Sequence, residues 1–201
     1  PGAVQKADLS GQLPLHIACA NISANTNANS NITSQLDVIW YLTQQWPEAV
    51  RSTDSEVWLP LHFACAKLAP LQVVQHLVYQ WPEAVSKKTV DGELPLHIAC
   101  ANEANVQVIK YLVEQWPEAI KTTDHCGWIA LHFACGYTAP LQVVQYLVET
   151  WPEAVRATNF EGELPLHFAC QYTAPLQVVQ YLVEIYPEAV HATDVNVELP
   201  L

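Results

Sequence analysis

The sequence is poor in positive charge and has no long hydrophobic run. It contains 8 Lys and Arg against 20 Asp and Glu, which gives a formal net charge of −12. Binding to a nucleic-acid backbone or to anionic lipid depends on clustered Lys and Arg side chains. No segment approaches the roughly 20 apolar residues of a membrane-spanning helix. We therefore expect neither nucleic acid nor direct membrane insertion, and a basic or neutral partner suits this charge better.

Motifs that carry catalytic chemistry are also missing. The chain has only 6 glycines, and they form no phosphate-binding loop. There is no serine nucleophile motif and no His-Glu-x-x-His motif. An enzyme brings different groups together at one place, whereas this chain places the same groups at many places. We therefore predict no catalytic residue, no cofactor and no metal ion.

Two phrases recur in step along the chain. Copies or near-copies of Trp-Pro-Glu-Ala-Val begin at residues 46, 81, 116, 151 and 186, each 35 residues after the last. A second phrase, Leu-Pro-Leu-His-x-Ala-Cys, places its histidine at positions 16, 62, 97 and 167, and a near-copy that begins Ile-Ala-Leu places it at 132. Repetition at a fixed period of 20–50 residues is typical of a solenoid or array.

Each unit is predicted to contain two helices. The first begins at the proline before the histidine, because proline is tolerated at the first helical position. The second carries apolar residues at steps of three and four, such as Leu141, Val144 and Leu147, and the proline of the other phrase ends it. The first unit has 11 extra residues, and its Asn/Ser-rich insertion at 21–34 is predicted to be a flexible loop.

The Leu-Pro-Leu-His-x-Ala-Cys phrase resembles the start of the ankyrin repeat, which reads Thr-Pro-Leu-His. Leu or Ile replaces that Thr in every unit, so its side-chain cap is missing. The resemblance implies an all-α solenoid of ankyrin-like helix-turn-helix units in a single repeat domain. It comprises a partial unit 1–12, repeats 13–58, 59–93, 94–128, 129–163 and 164–198, and the start of a further unit at 199–201. With no methionine present, both ends are expected to cut through repeats.

The six cysteines are predicted to be free thiols. Equivalent cysteines of neighbouring helices would lie about 8–10 Å apart, beyond the Cα separation of about 7 Å that a disulfide allows. Each His-x-x-Cys pair offers two ligands, whereas structural zinc usually takes four. Free thiols indicate an intracellular protein of the cytoplasm or nucleus. A reactive thiol or metal site at His125 and Cys126, on a predicted turn, stays open as an alternative.

Positions that vary between units are free to specify a ligand, because the fixed positions build the stack. The variable positions lie in the turn between units and just after each first helix. Trp is also favoured at the centres of protein interfaces. The resemblance implies that turns and first helices line one concave face. The predicted partner-binding residues are Trp58, Lys67, His125, Trp128, Tyr137, Phe160 and Tyr172. The alternative is that their aromatic rings pack on neighbouring units.

The predicted function is a non-enzymatic scaffold that binds a protein partner along an extended concave surface. Two alternatives stay open. The near-identical units, without polar terminal caps, would also suit a structural segment of a self-assembling filament or larger complex. The repeats could equally be the targeting arm of an enzyme whose catalytic domain lies outside this sequence.

Overall fold

The fold was obtained as a computed structural model, which describes residues 2, 4–22, 29–137 and 139–200. Short and long helices alternate through these residues, and none of the described residues forms a β-strand. The all-α architecture of helix pairs predicted from the repeats is confirmed. The helices are α1 (Pro14–Ala20), α2 (Asn29–Gln45), α3 (Pro60–Ala66), α4 (Leu71–Gln80), α5 (Pro95–Ala101), α6 (Val106–Gln115), α7 (Ala130–Gly136), α8 (Leu141–Thr150), α9 (Pro165–Gln171) and α10 (Leu176–Ile185).

The helices form two layers. Each short helix packs on the next short helix, each long helix packs on the next long helix, and the two helices of a unit pack on each other. One continuous apolar core runs between the layers. The leucine before each repeated histidine is at most 2% exposed in all five units. Truncating such a buried leucine to alanine typically costs about 2–5 kcal/mol, so these fixed residues define the stack.

The Trp-Pro-Glu-Ala phrase ends each long helix, as predicted. The helix stops at the residue before the aromatic side chain, and the phrase itself forms a short 3₁₀ turn that the sequence did not indicate, such as Pro47–Arg51. Its alanine is buried in every unit, its glutamate is exposed, and its aromatic ring packs at the edge of the core. The first of these turns contacts both helices of the next unit, α3 and α4. The repeated phrase is therefore a joint between units.

The expectation of a flexible loop over 21–34 is wrong for residues 29–34, because α2 begins at Asn29. This helix has 17 residues, against 10 in the other long helices. It is anchored further along by buried Ile39 and half-buried Leu42. Once a helix has nucleated there, each further residue adds a hydrogen bond without a new nucleation cost. Residues 23–28 of the insertion lie outside the described residues.

One histidine per unit ties each short helix to its surroundings. Its Nδ1 accepts a hydrogen bond from the backbone N–H three residues earlier, at 2.9–3.2 Å in all five units. The residue at the helix start supplies no side-chain cap, as predicted, and the histidine satisfies this N–H instead. Because Nδ1 accepts, the proton must lie on Nε2.

In four units the histidine Nε2 donates to a backbone carbonyl in the segment that leads to the next unit. These acceptors are Ser52 at 2.9 Å, Lys87 at 3.1 Å, Thr122 at 3.0 Å and Glu163 at 3.1 Å. Nε2 of His167 is buried and has no hydrogen-bond partner among the described residues. The four bonded histidines therefore link the start of one short helix to the segment that positions the following one.

These bonds require a neutral imidazole. Loss of hydration on burial lowers the pKa of His62, His97 and His132 to about 4, from an ordinary value of 6.5. The carbonyl that accepts from Nε2 raises the pKa again, but by less than burial lowers it. Protonation would remove the Nδ1 acceptor and place a charge in the core, so these histidines stay neutral in the folded protein.

Acidification from pH 7 to pH 5 is expected to lower the melting temperature. Between 6.5 and about 4 the unfolded chain binds more protons than the folded one, so the stability is complete above pH 6.5 and is lost as pH falls toward 4. Each of the three histidines contributes up to about 1.4 kcal/mol per pH unit in this window. Thermal unfolding followed by circular dichroism measures the effect. An exposed-histidine variant, His125→Ala, should show the same pH dependence, and a pH-independent melting temperature would contradict the account.

The turns before the short helices share one local design. In four of them a carboxylate oxygen Oδ1, of Asp8, Asp54, Asp124 or Asp194, accepts backbone N–H groups two and four residues later, at 2.7–3.0 Å. In a fifth turn the amide oxygen of Asn159 accepts the equivalent N–H groups at 3.0 and 2.8 Å. The residue just before the second of these N–H donors has a left-handed backbone conformation, with positive φ. It is glycine in four turns, with φ between 77° and 85°, but Val57 has φ 64° and Val197 has φ 67°. A β-branched residue is strained in this region.

Val57→Gly is expected to stabilise the protein by about 0.5–1 kcal/mol. It removes a left-handed penalty of about 1–2 kcal/mol, and the greater freedom of glycine in the unfolded chain cancels part of that gain. Urea unfolding measures the change. The matched control is Val90→Gly, at an exposed turn residue without positive φ, which should destabilise. Equal effects of the two substitutions would rule out backbone strain at Val57.

Candidate functional site

Consecutive turns stand side by side because one backbone hydrogen bond joins each turn to the preceding one. Val90 N–H donates to the Glu56 carbonyl at 3.3 Å, His125 N–H to the Asp91 carbonyl at 3.1 Å, and Phe160 N–H to the Cys126 carbonyl at 3.1 Å. These turns and the exposed ends of the short helices form one continuous surface. We call it the turn edge, comprising residues 54–58, 89–93, 124–128 and 159–163 with residues 67, 137 and 172.

Two of the candidate residues on the turn edge, Trp58 and Trp128, are half-buried. The ring of Trp128 lies 4.5 Å from the ring of Phe168 and 5.4 Å from that of Phe133, measured between centroids. Trp58 lies 5.3 Å from Phe63 in the same way. Both tryptophans therefore pack on the short helices, as the alternative interpretation expected, and each offers only part of its ring to solvent.

Tyr137 and Tyr172 are more accessible, with 50% and 45% of their surface exposed. The ring of Tyr137 lies parallel to Phe133 at 6.3 Å, and Tyr172 lies 5.8 Å from Phe168. Trp128 contacts both phenylalanines and so joins the pair Tyr137 and Phe133 of one unit to the pair Tyr172 and Phe168 of the next. We call these five rings the aromatic row. Sequence reasoning missed the two phenylalanines that join the row, although Phe in place of Ile after the repeated histidine was a visible signal.

Phe160 and His125 lie at equivalent turn positions, and each rests on the preceding turn. A Cβ atom built on Gly92 would lie 2.5 Å from Cδ2 of His125, and one on Gly127 would lie 2.8 Å from Cδ1 of Phe160. A side chain at either position would clash with the ring above it, so glycine is needed at both Gly92 and Gly127. The other side of Phe160 faces solvent, with 74% of the residue exposed.

Lys67 is exposed at the end of α3, next to Trp58. The two residues share a cavity of about 310 Å³ with the turn residues Asp54 and Glu56. The structure thus brings the candidate residues into two groups. Trp58 and Lys67 form one group at the junction of the first and second repeats, and the other five lie in the third to fifth repeats.

The second group is surrounded by carboxylates. Partial burial raises the pKa of Glu93, and the nearby charges of Asp91 and Asp124 raise it further. Partial burial also raises the pKa of Tyr137, and the charge of Glu93 adds to this shift. In the described part of the chain, Asp91, Glu93 and Glu161 make no ion pair with a Lys or Arg side chain. This part of the turn edge therefore carries uncompensated negative charge.

Several basic side chains are held elsewhere, on aromatic rings. At the 3₁₀ joints, Arg51 lies 5.9 Å and Lys87 5.6 Å from the ring centroid of Trp81, and Arg156 lies 4.8 Å from Tyr186. Between two long helices, Lys110 lies 5.4 Å from the ring of Tyr146 in the next unit. These four basic side chains thus lie at the joints and long helices, whereas Lys67 lies on the turn edge itself and Lys88 borders it, where its Nζ donates to the Thr123 carbonyl at 2.7 Å.

Cys126 is exposed on the same edge, but its surroundings disfavour the thiolate. Slight loss of hydration raises its pKa, and the charges of Asp124, Glu161, Asp91 and Glu93 raise it further. Reactive cysteines need the opposite, an electropositive environment. Among the described residues, no group of three or more His, Cys, Asp or Glu side chains is placed to hold a metal ion. The geometry therefore gives no support to a thiol or metal centre at His125 and Cys126.

A sequence model for ankyrin repeats in three copies matches residues 61–150 and 96–197, which together cover more than half of the chain. The chain belongs to the ankyrin-repeat family. A search among curated proteins finds no match to this ankyrin-repeat chain. Within the residues that the structure describes, no helix is long and apolar enough to cross a membrane.

The cysteines provide a test of the acidic environment on the turn edge. Cys126 should react first with a disulfide reagent at pH 8, but more slowly than free cysteine, because the thiolate is the reactive form. The buried thiols of Cys19, Cys65, Cys100 and Cys135 should react only after unfolding. Glu161→Gln should accelerate the reaction of Cys126, whereas Glu118→Gln at a joint should not. Equal rates in wild type and Glu161→Gln would contradict the described charge cluster.

Proposed function

We propose that this ankyrin-repeat chain is a non-enzymatic scaffold that binds a protein partner along the turn edge, the concave side in the arrangement the family implies. Ankyrin repeats generally mediate protein–protein interactions, and proteins built from them are typically not enzymes. The observation that carries the proposal is the exposure of aromatic rings at positions that differ from unit to unit. Residues needed for stacking are buried and shared by the units, whereas Tyr137, Tyr172 and Phe160 are exposed and lie at positions that other units fill with different residues.

The exposed rings can supply a useful part of an interface. An aromatic side chain buries about 150–250 Å² when fully covered, so three rings that are about half exposed offer roughly 250–400 Å². A standard interface buries about 800 Å² per partner. The contact of each tyrosine with a buried phenylalanine restrains its ring before binding, which reduces the entropy lost on association.

The proposal is tested by affinity capture from an extract of the source cells. The baits are the wild type, the turn-edge variant Tyr137→Ala/Tyr172→Ala/Phe160→Ala, and the control variant Tyr41→Ala/Tyr79→Ala. The control removes two exposed tyrosines of the long helices α2 and α4. We expect one partner to be captured by the wild type and the control and to be lost with the turn-edge variant, because only that variant removes the contact rings.

Circular dichroism should show all three baits to be folded. A partner retained equally by the turn-edge variant would contradict the proposed site. A partner lost only with the control variant would place the binding surface on the long helices instead.

A further inference from the structure

The spacing of the units sets a length scale for an extended partner. Short helices of successive units pack directly on each other, and helices packed in this way lie about 8–10 Å apart. An extended chain advances about 3.3 Å per residue. A partner strand that runs along the stacked turns therefore meets an equivalent position of the next unit at every third residue.

Carboxylates occupy such an equivalent position. Glu56, Asp91 and Glu161 are each the third residue of their turn, and the carbonyl of each accepts the N–H of the next turn in the hydrogen-bonded ladder. All three residues are exposed. In the remaining turn the same position is Cys126, whose thiol lies within the electrostatic reach of Asp91 and Glu161. Negative charge is thus arranged along the edge at the spacing of the units.

The aromatic row lies beside this acidic column. Tyr137 lies within the electrostatic reach of Glu93, which belongs to the same turn as Asp91. A guanidinium or ammonium group is attracted to the face of an aromatic ring as well as to a carboxylate. The basic side chains at the 3₁₀ joints and long helices lie on other rings, at 4.8–5.9 Å. Lys67 lines the same cavity as Glu56, but Asp91 and Glu161 make no ion pair with Lys or Arg among the described residues, so the charge of these two carboxylates is available to a partner.

We propose that the turn edge binds an extended basic segment in which Arg or Lys recurs at every third residue. The proposal rests on the proposed scaffold function and specifies the chemistry of the partner. A neutral segment would leave the carboxylates desolvated and unpaired, which is costly. A compact basic cluster would meet the carboxylates of one unit only.

The test uses two labelled peptides of about 12 residues, a length that spans four units at about 3.3 Å per residue. Both contain four Arg among Ser and Gly. In the first peptide Arg recurs at every third position, and in the second the same four Arg are contiguous. Fluorescence anisotropy at physiological salt gives the two affinities for the chain. We expect the spaced peptide to bind about tenfold tighter, because it reaches several carboxylates at once.

Matched variants locate the charges involved. Asp91→Asn/Glu161→Gln should weaken binding of the spaced peptide about fivefold, as expected for two exposed ion pairs. Glu118→Gln/Glu153→Gln removes the same charge from two exposed joint residues and should change the affinity little. Equal binding of the two peptides, or equal weakening by both variants, would overturn the proposal in favour of non-specific attraction by net charge.

Failure of the basic-segment proposal can be distinguished from failure of the scaffold function. If the spaced peptide does not bind but the turn-edge variant still loses a captured protein, the scaffold function stands and the basic chemistry of the partner is wrong. If neither peptide nor protein depends on the turn edge, both proposals fail.

Discussion

The structure depends on an imidazole that is hydrogen-bonded at both nitrogens and shielded from water. Nδ1 accepts the backbone N–H at the start of its own short helix. In four units Nε2 donates to a backbone carbonyl of the segment that leads into the next unit. One side chain therefore sets both the local helix start and the position of the neighbour. This double role needs a buried apolar frame around the histidine and a following segment that returns to its Nε2, which explains why the two phrases recur together. The Trp-Pro-Glu-Ala joint completes the connection on the other side of the stack.

Because buried residues meet these demands, the exposed turn positions are left free to differ. The backbone ladder holds the turns side by side without using their side chains. Aromatic rings and carboxylates on this edge can therefore change from unit to unit without loss of the fold. Contacts of Tyr137 with Phe133 and of Tyr172 with Phe168 couple the variable surface to the core and order the rings. Such a division between a fixed interior and a variable edge is what a binding scaffold needs.

The sequence predicts the helix pairs well because their signals are periodic and local. The proline before the histidine, present in four of the five units, and the proline after each long helix mark boundaries that the structure confirms, as at α3 and α4. In the remaining unit α7 begins at Ala130, the equivalent position. The early start of α2 was missed because the polar residues 29–34 carry no apolar pattern, whereas helix propagation from Ile39 depends on packing. Packing of Trp128 on a neighbouring unit was one of the alternatives, but its partner Phe168 was not predictable, since the contact joins side chains of different units. Residues such as Tyr137 and Phe160 could be selected because internal comparison separates variable from fixed positions.

The most direct test of the turn edge as the binding surface is amide chemical-shift mapping of the ¹⁵N-labelled chain with the spaced arginine peptide. The account predicts shifts concentrated in residues 89–93, 124–128 and 159–163 and around Tyr137 and Tyr172, with little change in α4, α6 and α8. Shifts concentrated in those long helices or in the 3₁₀ joints would contradict it and move the binding surface to the opposite side of the stack.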